Sequence, residues 1–526
     1  MSKKPEVIVA GGGSSGLQVA AYLAKAGVDV LVLEGREFCG GGVVTREVTA
    51  PGFKTDIAST CHVFIQPNPL IKDDELQLQS KYGLEYIKPD NILSVVYPDD
   101  RALTFYKDLD KTCESIAQFS KKDAVAYRKF YEWGCQQFGM LTAGMYAPAP
   151  PFGTLVSLLE TGVEGRELLR CMYVSAHDLV LEWFESPQLI NSLDRWASEN
   201  MADPRVDGSG INLLLMIPVL HMYGIAIPKG GSGALTDSLI RSIEDRGGEV
   251  RVNSKVKKFK VSGGKCTGVI LESGEEILAS KAVVTNFNIR QLTEDMLGTS
   301  MPDEYNHNLK VIRKQQFMSF HQNYALDEVP QYNAGSIVDD SCMVEFCPDT
   351  LEGMQQLWVT FAYGNLNYET PISLSYAKYD PTRAPAGKST LYLYQYAPYY
   401  LKGGPQRWDE IKEDTANKVF EQWCSRTKNM NSSKVLGRWV HSPLDFERNF
   451  PAYMEGQINH LGSQISHNFG NRPFPAMSGY RLMGIESLYL CGPSTPPGPG
   501  VLGGGRAAVQ PVMADLGIDF EDVISK

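Results

Sequence analysis

The chain has 526 residues, of which 43% are hydrophobic and 21% charged, and its formal net charge is −11. This composition is typical of an ordinary folded protein, and the length suggests about two to four domains. Nucleic acid is excluded as a partner, because phosphate binding needs a concentrated positive surface and the chain has no block of lysine and arginine. Ten scattered cysteines without a CxxC pair or a zinc spacing indicate reduced thiols and predict no disulfide framework and no metal site.

A membrane-spanning helix is not predicted, because no run of about 18 or more apolar residues occurs. The first strand begins near residue 6, which leaves no room ahead of it for a cleavable signal and predicts a cytoplasmic protein. The most apolar segment, 211–223, is interrupted by Asn212, Pro218 and His221. We expect a buried helix or tunnel wall there. The alternative is a patch that lies on a bilayer, a peripheral membrane contact that admits apolar substrate.

The first strand leads directly into a glycine-rich loop and then into a helical pattern. In this GxGxxG arrangement the first glycine permits a tight turn, the second lets the backbone approach a pyrophosphate, and the third lets the helix pack on the strand. The helix N-terminus then directs its amides at the phosphates. The predicted pyrophosphate-binding residues are Gly11, Gly13, Ser14, Ser15 and Gly16.

The second apolar run, 28–33, is followed by Glu34. This carboxylate can accept both ribose hydroxyls of an adenosine and would repel a 2′-phosphate, which favours FAD or NAD over NADP. A second glycine-rich loop then brings bare backbone near the cofactor again, and that feature favours FAD over NAD. The predicted contact residues in this region are Glu34, Gly35, Arg36, Gly41 and Gly42.

Residues 108 to about 220 show mainly helical patterns. Asp110 and Ser120 are predicted N-caps, and residues 123–133 carry apolar side chains at spacings of three and four. A proline-rich break at 147–151 divides this section, which we expect to form part of a substrate domain.

The pattern then returns to alternating strands and an amphipathic helix at 234–246, which indicates that the chain re-enters the cofactor domain. The predicted strands are 249–253, 256–261, 267–272 and 280–285. Between about 310 and 475 long strands dominate, the clearest being 389–396. Tyr392, Tyr394 and Tyr396 share one face of that strand, which is typical of sheet packing, although its length also suits the antiparallel floor of an apolar cavity.

The last informative segment is a further strand, glycine loop and helix. The strand at 487–492 precedes a proline- and glycine-rich loop at 496–505, and Arg506 opens an alanine-rich helix. Such a helix N-terminus can point at the pyrimidine side of a flavin, where negative charge accumulates on reduction.

Together these segments resemble the phytoene desaturase superfamily of FAD oxidoreductases, in the branch that holds the bacterial carotene ketolases of desaturase type and the pyridine nucleotide-disulfide oxidoreductase domain-containing protein 2 group. The similar stretches run nearly end to end. They are GGGSSGLQVAAYLAKAG at 11–27, LDKTCESIAQFSKKDAVAYRKF at 109–130, GIAIPKGGSGALTDSL at 224–239, DPTRAPAGKSTLYLYQYAPYY at 380–400 and GYRLMGIESLYLCG at 479–492.

The resemblance implies an α/β fold: a Rossmann-type FAD-binding domain of the amine oxidase/phytoene desaturase kind, plus an α+β substrate domain with an antiparallel sheet. The expected FAD-binding domain is discontinuous and takes residues 1–107, 224–308 and 480–526. The substrate domain takes 108–223 and 309–479. The cofactor implied is non-covalent FAD, and the residues that the resemblance adds to its site are Val256, through its backbone at the adenine, with Gly492, Pro493, Gly500 and Val501.

Two histidines are candidates for catalysis. His460 belongs to a segment that the resemblance places near the flavin, and a histidine can take or return a proton there. The alternative is that His460 only hydrogen-bonds backbone under the sheet. His62 could also reach the ring, although a packed or capping histidine is the expected role. The family usually shows His-Pro-Gly-Gly near the flavin, whereas residues 495–499 read Thr-Pro-Pro-Gly-Pro, so no proton-handling role is assigned there.

The function implied is an FAD-dependent dehydrogenase or desaturase that removes hydride from an apolar substrate of isoprenoid (terpene or carotenoid) type. Desaturation, allylic hydroxylation and isomerisation stay open as outcomes. The alternatives are a flavin amine oxidase and a flavin-bearing partner protein without turnover. A separate nicotinamide site is not visible, so oxygen, a quinone or an electron-acceptor partner is expected to reoxidise the flavin, and an oligomer is plausible.

Overall fold

The computed structural model describes residues 4–298 and 301–525. The strands in these residues are β1 (Val7–Ala10), β2 (Val30–Leu33), β3 (Thr45–Arg46), β4 (Thr55–Asp56), β5 (Tyr86–Ile87), β6 (Asn91–Val96), β7 (Ala102–Tyr106), β8 (Ile227–Pro228), β9 (Glu249–Arg251), β10 (Val256–Ser262), β11 (Lys265–Leu271), β12 (Glu276–Leu278), β13 (Ala282–Thr285), β14 (Met318–Leu326), β15 (Met343–Phe346), β16 (Ile372–Leu374), β17 (Ser389–Ala397), β18 (Val435–His441) and β19 (Leu488–Leu490).

The helices in the same residues are α1 (Ser14–Lys25), α2 (Pro69–Lys72), α3 (Leu109–Ala117), α4 (Lys121–Tyr146), α5 (Phe152–Leu159), α6 (Val163–Tyr173), α7 (Ala176–Trp183), α8 (Pro187–Ala197), α9 (Ile211–Tyr223), α10 (Gly233–Asp245), α11 (Ile289–Gln291), α12 (Asp303–Val311), α13 (Ser336–Asp339), α14 (Leu351–Ala362), α15 (Arg407–Cys424), α16 (Pro443–Asn449), α17 (Gly504–Asp515) and α18 (Phe520–Ile524).

A five-stranded parallel sheet with the order β19-β13-β1-β2-β9 holds the N-terminal motif. Every residue of β1, β2 and β13 is buried, as expected for a parallel sheet covered by helices on both faces. Helix α1 follows β1 directly and contacts both α10 and α17. The chain returns to this sheet three times after β2, which confirms the predicted Rossmann-type fold with late re-entry.

A seven-stranded sheet with the order β18-β14-β17-β16-β15-β6-β7 forms the second structural layer. Its neighbouring strands are antiparallel except for the parallel pair β15 and β6. All nine residues of β14 and all nine of β17 are buried. The predicted aromatic strand at 389–396 forms β17, an interior strand of this sheet that pairs with β14 on one edge and β16 on the other.

The strand pairing departs from the predicted segment 1–107. Strands β6 and β7 belong to that segment, yet β6 pairs with β15 of the seven-stranded sheet, with Leu93 opposite Met343 and Val95 opposite Glu345. An alternating pattern shows that a strand forms, but it does not show which of two sheets receives the strand. Residues 91–106 therefore lie with the substrate sheet, and the remaining domain boundaries stay predictions.

The first helix of this section, α3, has its N-cap two residues earlier than the sequence pattern predicts. Asp108, not Asp110, caps α3, because its carboxylate accepts hydrogen bonds from the amides of Asp110 and Lys111. Ser120 caps α4 as predicted, by accepting from the amide of Asp123. Asp110 was misassigned because an acidic residue suits the first turn of a helix as well as its cap.

Helix α9 is the buried wall that the apolar run 211–223 predicts. Eight of its residues are buried, and Pro218 lies inside the helix. Leu215 and Met216 face an internal cavity, while Met222 is exposed. Within residues 4–298 and 301–525, no helix combines the length and apolarity that a bilayer crossing requires.

Candidate functional site

A cavity of about 1120 Å³ runs from the glycine loop after β1 to one face of the seven-stranded sheet. Of the predicted cofactor contacts, the structure places these on its wall: Gly11, Gly13, Ser14, Ser15, Glu34, Gly35, Arg36, Gly41, Gly42, Val256, Pro493, Gly500 and Val501. Gly16 and Gly492 lie behind the wall, where they shape the loops. The structure thus brings together residues from the two ends of the chain and from its middle.

The glycine loop is crowded by a residue that the sequence motif does not contain. Gly11 has φ +100°, and a Cβ added there would lie 2.0 Å from Oδ1 of Asn286. A Cβ on Gly13 would lie 2.5 Å from Nδ2 of the same side chain, and one on Gly16 would lie 2.5 Å from the carbonyl oxygen of Gly11. The glycines are therefore required by the packing of Asn286 and of the loop itself, in addition to the expected approach of a pyrophosphate.

The first turn of α1 offers amides that no side chain caps. Its N-cap is Gly13, with no side-chain hydrogen bond and no acidic residue in the first turn. Such a turn has unsatisfied N–H donors and a partial positive charge, which suits an anionic pyrophosphate.

Glu34 lies at the end of β2 and is nearly buried. One carboxylate oxygen accepts from the amide of Gly12 at 2.9 Å, and the other accepts from the amide of Arg36 at 2.9 Å. These two bonds fix the carboxylate at the cavity wall and leave lone pairs free for hydroxyl donors. This is the arrangement expected for binding the two ribose hydroxyls of an adenosine.

Arg36 supplies a buried donor without a partner. Its guanidinium stacks between the rings of Phe38 and Phe450, at 4.5 and 4.9 Å from their centroids, and its Nη2 donates to the carbonyl of Gly41. Nη1 is buried and has no hydrogen-bond partner in the described part of the protein. An unsatisfied cationic donor on the wall beside the uncapped turn fits a dinucleotide cofactor.

His460 lies on the cavity wall, in the left-handed backbone region with φ 62°. Its Nδ1 lies 3.0 Å from Oγ of Ser494, which already accepts from the amide of Ile289. The Ser494 hydroxyl keeps one lone pair and its own proton for Nδ1, so this contact fixes the orientation of the ring and is compatible with either tautomer. Burial, together with the charge of Arg472, lowers the pKa of His460 to about 3. The ring is therefore neutral near neutral pH and resists proton uptake, and its catalytic role stays a prediction.

His62 does not reach the cavity. It is fully buried, with Nδ1 3.0 Å from the Tyr86 hydroxyl and Nε2 2.8 Å from Oγ of Ser232. Burial lowers the pKa of His62 to about 3. Both ring nitrogens have partners, so the structure favours the packed histidine over the catalytic one. This is the packed role that the sequence predicts for His62, and the alternative of a ring contact is not seen, because closeness in sequence to the flavin-directed segment does not fix which way a side chain points.

A buried arginine joins the two loops at this end of the cavity. Arg472 donates from Nε to the carbonyl of Pro493 at 2.6 Å and from Nη2 to the carbonyl of Asn459 at 2.8 Å. Its Nη1 donates to the carbonyls of Gly462 and His467, each at 3.0 Å. The guanidinium thereby fixes the His460 segment against the C-terminal loop, and it is a positioning residue that the sequence did not reveal.

The opposite wall of the cavity is one face of the seven-stranded sheet. Across the sheet, Glu345 of β15, Ile372 of β16 and Tyr394 of β17 are directly opposite one another. The same row continues with His321 of β14 and His441 of β18. Residues in register share a face, and four of these five line the cavity. The tyrosine face predicted as sheet packing or cavity floor is therefore both.

These features define the class of protein. An uncapped helix and a glycine loop suit a dinucleotide, and residues of the second loop and of the C-terminal loop continue the same cavity to the face of a largely antiparallel sheet. That is the architecture of a flavin-dependent oxidoreductase.

Comparisons with known proteins agree. Residues 9–73 match the model of the NAD(P)-binding Rossmann-like domain, and residues 166–319 match that of flavin containing amine oxidoreductase. The chain is 32% identical to pyridine nucleotide-disulfide oxidoreductase domain-containing protein 2 of Rattus norvegicus, over 98% of this chain and 94% of the relative. It is 25% identical to a subunit of the limonene dehydrogenase of Castellaniella defragrans, over 98% and 96%. It is 24% identical to the lycopene-forming phytoene desaturase of Pantoea ananas, over 98% and 100%.

The chain belongs to the family of pyridine nucleotide-disulfide oxidoreductase domain-containing protein 2, within the phytoene desaturase-like superfamily of FAD oxidoreductases. It is an FAD-dependent enzyme of the dehydrogenase and desaturase type. When bound, FAD supplies a hydride acceptor. The glycine loop, Glu34 and Arg36 would hold it, and the other residues that line the cavity would orient the substrate and exclude water.

Sequence reasoning missed several residues of this site. Asn286 follows β13 directly, and loops at the carboxyl ends of parallel strands meet at the ligand site, so its position in sequence was a usable signal. Glu345 gave no such signal, because it is a single charged residue in an otherwise ordinary segment and its position on the cavity wall depends on long-range packing.

Proposed function

We propose that this enzyme removes hydride from an allylic C–H bond of an isoprenoid or similar apolar lipid. The observation that carries the proposal is the continuity of the cavity: the wall that suits the dinucleotide leads without a break into a chamber with an apolar lining. The chamber residues include Leu141, Leu215, Met216, Leu220, Ile225 and Leu374.

The chemistry of the chamber suits an allylic position. Loss of hydride leaves positive charge that a neighbouring double bond spreads, and a dry, shaped pocket holds the reacting carbon in place. Two relatives support an isoprenoid substrate, because limonene and phytoene in their names are both isoprenoid hydrocarbons. Proton loss, addition of water or return of hydride would then give a new double bond, an alcohol or an isomer.

Amine oxidation is the second candidate, and the match to the flavin containing amine oxidoreductase model favours it. The two candidates differ in what bleaches the flavin. Purified holoenzyme is mixed anaerobically with terpenes, with carotenoids and with amines, and flavin absorbance is followed. Bleaching by isoprenoids supports the proposal, and bleaching by amines alone overturns it. Mass spectrometry of the lipid that co-purifies with the protein supplies the first compounds to test.

A matched pair of variants on α9 tests whether the chamber holds the substrate. Met216 lines the cavity, whereas Met222 is exposed on the same helix. Met216→Arg should lower the rate of flavin reduction at least about 100-fold while FAD stays bound. The arginine side chain would occupy the chamber, and its charge is unfavourable next to an apolar substrate. Met222→Arg should behave as wild type. Equal rates in both variants would show that the substrate lies elsewhere.

The electrons must then leave the enzyme, and we propose that a partner protein accepts them. The relative named for limonene is one chain of a larger enzyme, which supports an assembly of more than one chain. Purification under mild conditions followed by mass measurement of the intact assembly tests this point. A monomer that turns over rapidly with oxygen alone would contradict it.

A further inference from the structure

The sheet end of the cavity contains a charged cluster that an entirely hydrocarbon substrate does not explain. Glu345 is 1% exposed and lies on the cavity wall, in the row that holds Tyr394 and His321. Its Oε2 has no hydrogen-bond partner among the described residues. A buried acceptor or donor left without a partner is strongly unfavourable, so such a group on a cavity wall points to a ligand atom.

Neighbouring groups set the charge around Glu345. Arg195 is completely buried on α8, and its guanidinium lies 4.0 Å from the centroid of the Tyr396 ring. Glu199 accepts hydrogen bonds from the hydroxyls of Tyr394, at 2.8 Å, and Tyr396, at 2.7 Å. Arg195 and Glu199 thus contact the same tyrosine, Tyr396, from two sides of one cluster, and Glu345 is the third ionisable member.

The protonation state of Glu345 follows from its surroundings. Burial and the nearby carboxylate of Glu199 raise the pKa of Glu345 to about 8, although the Arg195 cation opposes the shift. At neutral pH the carboxyl is mostly protonated, so it can donate its own proton and accept another. A neutral carboxyl at this position supplies no negative charge to pair with an ammonium group.

A second donor lies on the same wall. Trp196 follows Arg195 on α8 and packs against Phe105 of β7, with ring centroids 4.3 Å apart. Phe105 is opposite Leu93 of β6, and Leu93 is opposite Met343 of β15, two residues before Glu345. The buried indole Nε1 of Trp196 also has no partner among the described residues. The indole only donates, whereas the protonated Glu345 carboxyl both donates and accepts, so a hydroxyl or carbonyl oxygen with free lone pairs complements the two groups.

We propose that Glu345 binds a neutral oxygen group of the substrate, a hydroxyl or a carbonyl, so that the enzyme acts on an oxygenated isoprenoid in preference to the hydrocarbon. This inference rests on the proposed function, since it names the substrate class of the same chamber. The oxidised C–H bond lies towards the cofactor end, and the oxygen is held at the sheet end. Glu345 is thus a specificity-determining residue, and the hydride step itself does not involve it.

The test compares four compounds that share one C15 isoprenoid chain: the hydrocarbon, the allylic alcohol, the aldehyde and the primary amine. Stopped-flow mixing with holoenzyme under anaerobic conditions gives a limiting rate of flavin reduction and a half-saturating concentration for each. We expect half-saturating concentrations about 10- to 100-fold lower for the alcohol or the aldehyde than for the hydrocarbon, because the hydrocarbon leaves buried polar groups unpaired. The order of alcohol and aldehyde distinguishes the two oxygen groups.

Two variants of Glu345 assign the preference to this residue. Glu345→Leu should remove the difference between alcohol and hydrocarbon, mainly by raising the half-saturating concentration of the alcohol. Glu345→Gln keeps a donor and an acceptor and should retain most of the preference. Flavin content and the melting temperature of each variant are measured alongside, so that a folding defect is recognised, and the glutamine variant keeps the comparison valid if the leucine variant does not fold.

The outcomes distinguish a failure of the oxygen-binding role of Glu345 from a failure of the proposed function. If the hydrocarbon and the alcohol reduce the flavin with equal half-saturating concentrations, the oxygen-binding role is overturned while the proposed function stands. If Glu345→Leu keeps the wild-type preference, the role is overturned in the same way. If no isoprenoid reduces the flavin, or only the amine does, the proposed function fails and this inference fails with it.

Discussion

Backbone groups form most of the wall at one end of the cavity, and side chains form it at the other. At the five-stranded sheet the wall is mainly backbone: glycines, an uncapped helix turn and the loop amides that hold Glu34. At the seven-stranded sheet the wall is made of side chains such as Glu345, Tyr394 and His321, which strand register alone brings into one row. With the cofactor at the first end and the substrate at the second, as proposed, the comparison teaches that cofactor binding would depend on backbone features with little freedom to change, and substrate choice on side chains that can be exchanged.

The largest effect is expected at the backbone end. Gly11→Ala should lower the affinity for FAD at least about 100-fold, because the new Cβ would lie 2.0 Å from Asn286 at φ +100°. Gly27→Ala is the matched control, since Gly27 also has a positive φ, +79°, but nothing lies within 4 Å of its Cβ position. The flavin-to-protein ratio and the dissociation constant of the apoprotein give the result. Stoichiometric FAD in Gly11→Ala would show that the glycine-loop end of the cavity tolerates a change in its backbone.

The junction between the two ends should be the next most sensitive. Arg472→Met leaves the carbonyls of Asn459, Gly462, His467 and Pro493 without their donor. The free energy of unfolding should fall by about 3 kcal/mol or more, and FAD should bind less tightly because the C-terminal loop loses its anchor. Arg166→Met, at an exposed position, should change the unfolding free energy by less than about 0.5 kcal/mol. Similar denaturation midpoints for the two variants would remove Arg472 from its positioning role.

Acidification should destabilise the protein through its buried histidines. His62, His321 and His460 each have a pKa lowered to about 3, with burial as the main cause. Each stays neutral in the folded state, whereas the unfolded chain takes up a proton below about pH 6.5. The stabilising contribution is thus present above about pH 6.5 and is lost as the pH falls from there towards 3, by up to about 1.4 kcal/mol per pH unit for each histidine.

Melting temperatures measured between pH 7 and pH 4.5 test whether the stability of the protein falls as the pH is lowered. In His460→Gln the melting temperature should fall less steeply with decreasing pH, because one of the three buried histidines no longer contributes. His307→Gln, at an exposed position, should show the same pH dependence as wild type. An unchanged slope in His460→Gln would mean that His460 is already charged in the folded protein, and proton uptake by this residue would again be open.

The smallest effect is expected at the side-chain end. Tyr394→Phe removes the hydroxyl that donates to Glu199 at 2.8 Å. We expect a roughly 3- to 10-fold higher half-saturating substrate concentration, from the loss of about one hydrogen bond, with FAD affinity unchanged. Tyr399→Phe removes a hydroxyl bonded to Glu447 away from the cavity and should leave substrate kinetics unaltered. A loss of FAD in Tyr394→Phe would mean that the two ends are not independent.

The sequence predicted most of the residues that line the cavity near the five-stranded sheet. The glycines, Glu34 and the C-terminal loop could be found because each reports a local requirement: a positive φ, a close approach, or a carboxylate at the end of a strand. Asp110, taken for a cap, shows the limit of a local pattern, because it lies two residues after the true cap, Asp108. For His62 the sequence favoured a packed role and left a ring contact open, and the tertiary packing decided for the packed role.

What the sequence by itself determined is the Rossmann-type half of the molecule, the family and the FAD cofactor, since these depend on motifs short enough to be complete within a few tens of residues. The tertiary structure alone decided that β6 and β7 join the second sheet, that Asn286 crowds the glycine loop, and that Glu345, Arg195 and Glu199 meet in one cluster. Those arrangements join segments up to several hundred residues apart, and their free energy comes from strand register and burial, which no local pattern specifies.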